Sequence, residues 1–169
     1  MDLSFYTNQL AASAEMIRTL AEGISPLRAA WKPAPTAWSA LEVVNHLYDE
    51  EREDFRGHLE DLLARPGQPF REIAPQRWVS ERGYNQRDWE ASLAAFFAER
   101  SRSLEWLRRL DLPDAGVAYT LPWGSLSAGD LLASWAAHDL LHIRQLAELN
   151  YQLLAQASAP YQLRYAGDW

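Results

Sequence analysis

The chain contains no cysteine. That single absence excludes disulfide frameworks, thiolate zinc sites, iron–sulfur clusters, c-type haem attachment and a cysteine nucleophile together, while leaving the redox compartment open. Lysine is almost missing as well. Lys32 is the sole example, so Schiff-base and other catalytic-lysine chemistry narrows to one residue in a proline-rich segment. Positive charge is scarce: 16 Lys and Arg stand against 23 Asp and Glu, for a formal charge of −7. A field of that sign repels phosphate backbones and anionic lipid, and no nucleic-acid partner is expected. No stretch of about 18 apolar residues occurs, which argues against a membrane span. Residues 1–24 also lack the basic start and continuous apolar core of a secretory leader, so the expected location is cytoplasmic.

What is present is ordinary for a globular chain. Its 169 residues, 48% hydrophobic and 23% charged, suit a single domain spanning residues 1–169 with a core of its own. Against that background eight tryptophans and four histidines stand out.

Four segments carry helical periodicity. Leu3, Tyr6, Leu10, Ile17, Leu20 and Ile24 recur at spacings of three, four and seven, predicting an amphipathic helix over 2–24. Pro26, Pro33 and Pro35 make 24–38 a connector. Ser39 and Glu42 form a capping-box pattern, and a second helix is predicted from there to about Ala64, ended by Pro66-Gly67. Residues 65–86 show no sustained period and read as a long packed loop. Asn85 is a candidate cap for a third helix, with Asp88 in its first turn, reaching Leu110 ahead of Pro113. Val117 to Leu126 reads as a short extended piece or hairpin. Ser127 and Asp130 repeat the capping pattern before a fourth helix through Leu131, Leu132, Trp135, Leu141, Leu146 and Leu149 to about Ala155. A tail, 158–169, ends the chain, with Tyr161, Tyr165 and Trp169 available to pack on the bundle or on a partner. Four such helices without a strand pattern of weight predict an all-α four-helix bundle with long inter-helix loops.

In a bundle, side chains from different helices converge at mid-height, and that is where three histidines fall. His138 and His142 stand four apart in "WAAHDLLHIRQL", on one face one turn apart. His46 in "WSALEVVNHLYDEE" lies seven residues past its helix cap, at a height where it can face that pair. Three neutral imidazoles around a divalent cation, with positions left open, is the layout of a catalytic metal site. The same spacing also fits core histidines satisfied by other partners. His58, among charges near its helix end, reads as a surface residue. The acids Asp49, Glu50, Glu51, Glu53 and Asp54 read as a solvated helix face, with Glu50 also a candidate to orient the His46 ring from one turn away.

Other chemistries fit less well. His138-Asp139-x-x-His142 resembles the zincin pattern with aspartate for glutamate, but after His142 the only acids are Glu148 and Asp168, and no histidine follows. Only Asp139-x-x-His142 approaches the Glu-x-x-His motif of di-iron bundles. Ser125 and Ser127 lack a glycine-serine elbow, and capping accounts for Ser127. Trp31, Trp38, Trp78 and Trp123 fall in predicted loops, where they pack or line a pocket mouth.

"WSALEVVNHLYDEE", the loop "YTLPWGSLS" and "AAHDLLHIRQL" together resemble the DinB-like (damage-inducible, YfiT-type) bundle proteins along nearly the whole chain. The resemblance implies an up-down-down-up four-helix bundle, often a homodimer. It also implies a divalent metal, zinc or nickel foremost, held by His46, His138 and His142. Members include S-transferases that use low-molecular-weight thiols, so the implied partners are a small-molecule thiol and an electrophilic substrate. Metal-dependent hydrolysis and a non-catalytic binding or stress-response role with a structural metal are the alternatives.

Overall fold

The computed structural model describes residues 2–112 and 114–167; Met1, Pro113, Asp168 and Trp169 lie outside the described residues. Helix α1 spans Leu3–Glu22, capped by the Asp2 carboxylate on Ser4 N–H. The expected connector holds one short helix, α2, Pro26–Ala29, begun by its proline at the first position. Helix α3, Ala40–Asp49, opens on the predicted capping box, with Ser39 Oγ accepting from Glu42 N–H and the Glu42 carboxylate from Ser39 N–H. It runs through one wide π-helical stretch, Glu50–Phe55, into α4, Arg56–Ala64.

The stretch read as loop, 65–86, is in part helical. Helix α5 covers Pro75–Glu81, and a single 3-10 turn covers Tyr84–Gln86. Trp78 sits in α5 and is buried. Asp88, not Asn85, caps α6, Trp89–Arg109, by accepting from Ala91 N–H at 2.8 Å. Asn85 is taken by tertiary partners instead, accepting from Ser39 Oγ–H and donating to the Ala30 carbonyl. The predicted hairpin forms, with β1, Ala118–Leu121, antiparallel to β2, Gly124–Ser127, and Tyr119 opposite Leu126. The Ser127–Asp130 capping box then starts α7, Ala128–Ser158, 31 residues long. Tyr161 and Tyr165 in the tail are exposed, so neither packs on its own bundle.

Chain direction follows from two core clusters. One joins Ile17, Ala21, Val43, Val44, Phe96, Leu146 and Leu149; it therefore holds the end of α1, the start of α3, the start of α6 and the end of α7. The other joins Leu10, Leu59, Leu62, Leu107, Leu132 and Trp135, the opposite ends of the same four helical runs. The topology is thus up-down-down-up. Because the second and third runs are parallel, the chain must travel the length of the bundle between them, which is why 65–88 is long. Leu141, placed by periodicity on the buried stripe, is instead 55% exposed. Among the described residues no helix is long and apolar enough to cross a membrane.

Candidate metal centre

His46 comes from the last full turn of α3, and His138 and His142 from the middle of α7. Their ring nitrogens meet between the two clusters: His138 Nε2 lies 3.2 Å from His46 Nε2 and 3.1 Å from His142 Nε2. His46 and His142 are buried and His138 partly so. Burial, then the charges His142 and His138 would carry, push the His46 imidazole down to about 2. Burial and His142 push His138 down to about 3, and burial lowers His142. All three rings are neutral at pH 7, the form that binds a metal.

The donor set fits a divalent cation. Nitrogens bound at about 2.0–2.1 Å lie ~3.3 Å apart in a tetrahedral set and ~2.9 Å apart in an octahedral one. Both separations above fall between these limits. Three inward lone pairs this close repel one another unless a proton or a cation lies between them. The His142 tautomer is set from outside: its Nδ1–H donates to Gln145 Oε1 at 2.9 Å, leaving Nε2 bare and aimed inward. On the other wall, Trp38 lies parallel to the His142 ring, with centroids 6.2 Å apart, and edge-on to His46 at 4.8 Å.

Glu50, the candidate for orienting His46, has Oε1 at 3.7 Å from His46 Nδ1, beyond hydrogen-bond distance. Neither of these two buried atoms has a partner. Burial, then the neighbouring Asp54 carboxyl, push Glu50 up to about 9. Asp54 in turn meets His58 Nδ1 at 2.8 Å. Four titratable side chains, His46, Glu50, Asp54 and His58, therefore follow one another at four-residue spacing along one helical run.

His58 is not a surface residue. It is fully buried: Nε2 faces the Arg71 carbonyl at 2.7 Å, and the ring stacks on Phe70. The Tyr119 hydroxyl donates to the His58 carbonyl at 2.9 Å. The returning crossover and the hairpin cover a helix face that local charge had marked as wet.

The acidic run is corrected in the same way. Asp49, Glu50 and Glu51 are all buried, because three different neighbours surround the helix. Asp49 accepts from the Tyr84 hydroxyl and pairs with Arg82 and Arg52. Glu51 lies deepest. Its two carboxylate oxygens accept from Arg100 Nε and Nη2 at 2.8 and 2.7 Å, while Asp139 accepts from Arg100 Nη1 and Nη2 at 2.6 and 2.8 Å. The Leu10 carbonyl takes the fifth bond, so the whole guanidinium fork is satisfied. Trp135 Nε1–H adds a bond to Glu51 at 3.0 Å. Asp139 thus turns away from the histidines, which removes the zincin parallel. Arg100 had no local signal beyond being a charge on the apolar stripe of its helix. Lys32 is likewise engaged, paired with Glu42 at 2.7 Å.

Beside His142 a cleft of about 470 Å³ opens between the 33–38 connector and α7, with Trp38 on one wall and Gln145, Glu148 and Leu149 on the other. Of the three histidines, His142 is the one that lines it. Trp38 thus lines a pocket mouth, whereas Trp123 is 73% exposed in the hairpin turn.

An up-down-down-up bundle with an inward tri-histidine cluster and an adjoining cleft defines a small helical protein with a candidate metal centre. The chain belongs to the DinB superfamily, whose sequence profile matches residues 9–146. Among solved structures it is similar to YfiT from Bacillus subtilis, described as a probable metal-dependent hydrolase with an unusual four-helix bundle topology. The identity is 17% and the TM-score 0.77, covering 89% of this chain and 87% of that one. At that identity the likeness establishes the fold. No curated protein matches the chain by sequence.

Proposed function

We propose that this protein uses a divalent metal, zinc or nickel, held by His46, His138 and His142, and acts as an S-transferase joining a low-molecular-weight thiol to an electrophilic substrate. The observation that best supports this is the convergence of three neutral Nε2 atoms beside a cleft large enough for a small molecule. A bound dication there would bring a coordinated thiol or water to a neutral pKa, making a nucleophile available at pH 7. The chain's own groups do the positioning. Gln145 holds the His142 ring in one tautomer, and Trp38 shields the His46 and His142 rings from bulk water.

With no cysteine in the chain, a sulfur nucleophile has to come from outside. The description of YfiT supports a second reading, hydrolysis at the same site. A homodimer belongs to the proposal too, supported by the apolar groove that Met16, Ile143 and Ala147 line between α1 and α7; sedimentation equilibrium tests it.

Metal analysis after equilibration with zinc or nickel is expected to give a stoichiometric ion in the wild type and none in His142→Ala. The loaded wild type is expected to consume an electrophile only when a thiol is supplied. Failure of the wild type to retain metal overturns the metal reading. Thiol-independent cleavage of an ester or amide panel moves the function to the hydrolase, and loaded protein that turns over neither is a binding module.

A further inference from the structure

The cleft beside His142 has a chemical bias of its own. It follows α7 outward from the histidine cluster, passing Gln145 and reaching Glu148 and Gln152, while Trp38, Pro33 and Leu149 supply its apolar surface. No arginine, lysine or second histidine lines it. The Glu148 carboxylate accepts from Gln152 Nε2, and among the described residues no arginine or lysine lies within ion-pair distance of it. Lys32, next in the chain to Pro33, is already neutralised by Glu42. The cleft thus joins one uncompensated carboxylate, amide hydrogen-bonding groups and an aromatic wall. Such a surface disfavours phosphate and carboxylate ligands and suits a cation that also has apolar surface.

Resting on the proposed function, we infer that the molecule this site takes carries a primary ammonium group, which pairs with Glu148 while its reacting end lies at the three histidines. Glu148 is six residues beyond His142, about 9 Å along the helix axis. The ammonium and the reacting atom are therefore separated by a chain of about that length. Glu148 in this role determines specificity. It touches the far end of the ligand and no reacting atom.

The test uses three thiols of equal chain length, 6-aminohexanethiol, 6-mercaptohexanol and 6-mercaptohexanoate, added to cobalt-loaded protein and followed through the thiolate-to-cobalt charge-transfer band. The amine is expected to bind about tenfold more tightly than the alcohol, as for a hydrogen bond to a charged group, with the carboxylate weakest. Glu148→Gln is expected to equalise amine and alcohol without changing cobalt stoichiometry or alcohol affinity, and Glu148→Lys to reverse the order of amine and carboxylate. Equal binding of all three probes by the wild type, or an amine preference that survives in Glu148→Gln, overturns the inference.

Cobalt stoichiometry separates this result from failure of the metal reading. If the protein takes up no cobalt, the proposed function falls, and the cleft is read with n-hexylamine against n-hexanoate by shifts of the Gln145 and Gln152 side-chain amide resonances. A Glu148-dependent amine preference there sustains the charge assignment, and its absence ends it.

Discussion

A buried histidine ring needs partners for its nitrogens, and two such rings lie in different surroundings on one helical run. His46 is held neutral beside two other imidazoles, whereas both His58 nitrogens face oxygen atoms. The neutral trio makes stability depend on pH in a defined direction. Unfolded, these rings titrate near 6.5; folded and metal-free, His46 is lowered to about 2 and His138 to about 3, and His142 is lowered as well. Their contribution is fully present above about pH 6.5 and is lost as pH falls from there, because the unfolded chain then binds protons that the folded chain refuses. Glu50 has the opposite sign. Its folded value of about 9 lies above the usual carboxylate range, so its contribution is intact below about pH 4.5 and is lost as pH rises towards 9. Three groups outweigh one on the acid side. The urea midpoint of the chelated protein is expected to be highest near pH 6.5, falling steeply towards pH 4.5 and gently towards pH 9. In His46→Phe/His138→Phe/His142→Phe the acid limb should flatten.

Between helices, the decisive contact is Arg100. From α6 it reaches Glu51 in the π-helical stretch, Asp139 on α7 and a carbonyl of α1, and so ties all four helical runs at mid-height. Burial opposes its charge, but the carboxylates of Glu51 and Asp139 outweigh that and raise its pKa. Removing only the cation leaves two carboxylates buried without a countercharge, with the Trp135 N–H as the remaining donor to Glu51. Arg100→Leu is therefore expected to lower unfolding free energy by about 3–5 kcal/mol at pH 7 in urea titrations, with partial recovery when Glu51 and Asp139 are also made apolar. The wide helical turn beside it matters for the same group. Arg56 N–H reaches back five residues to the Glu51 carbonyl, and this local widening is a feature often found next to functional sites.

For the molecule as a whole, the histidine cluster joins the second and fourth helical runs, which are also linked by the Trp135–Glu51 hydrogen bond and by Arg100 between Glu51 and Asp139. An ion held between them would link the runs and bind the folded chain far more tightly than the unfolded one. At a free metal concentration near 100 Kd that is worth about 2.7 kcal/mol. Melting temperature is accordingly expected to rise with zinc or nickel concentration and to fall on chelation. In His142→Ala it should be insensitive to both, as measured by calorimetry at fixed pH.

Much of this was legible in the residues. Apolar spacing marked the four helical runs, the Ser39 and Ser127 capping boxes marked two of their starts, and the spacing of His138 and His142 placed two rings on one face, since these features act within a few residues of chain. The cap that failed shows the limit: Asn85 has the right chemistry, but tertiary contacts with Ser39 and Ala30 claim its side chain. The buried fates of His58, Glu51 and Arg100, the cleft beside His142 and its lone carboxylate were decided by the tertiary structure alone. A polar side chain is wet or dry according to what the rest of the chain lays over it, and neither the crossover over His58 nor the guanidinium beside Glu51 is near in sequence. Local periodicity and capping determined the helices; long-range desolvation and charge pairing decided what those helices enclose.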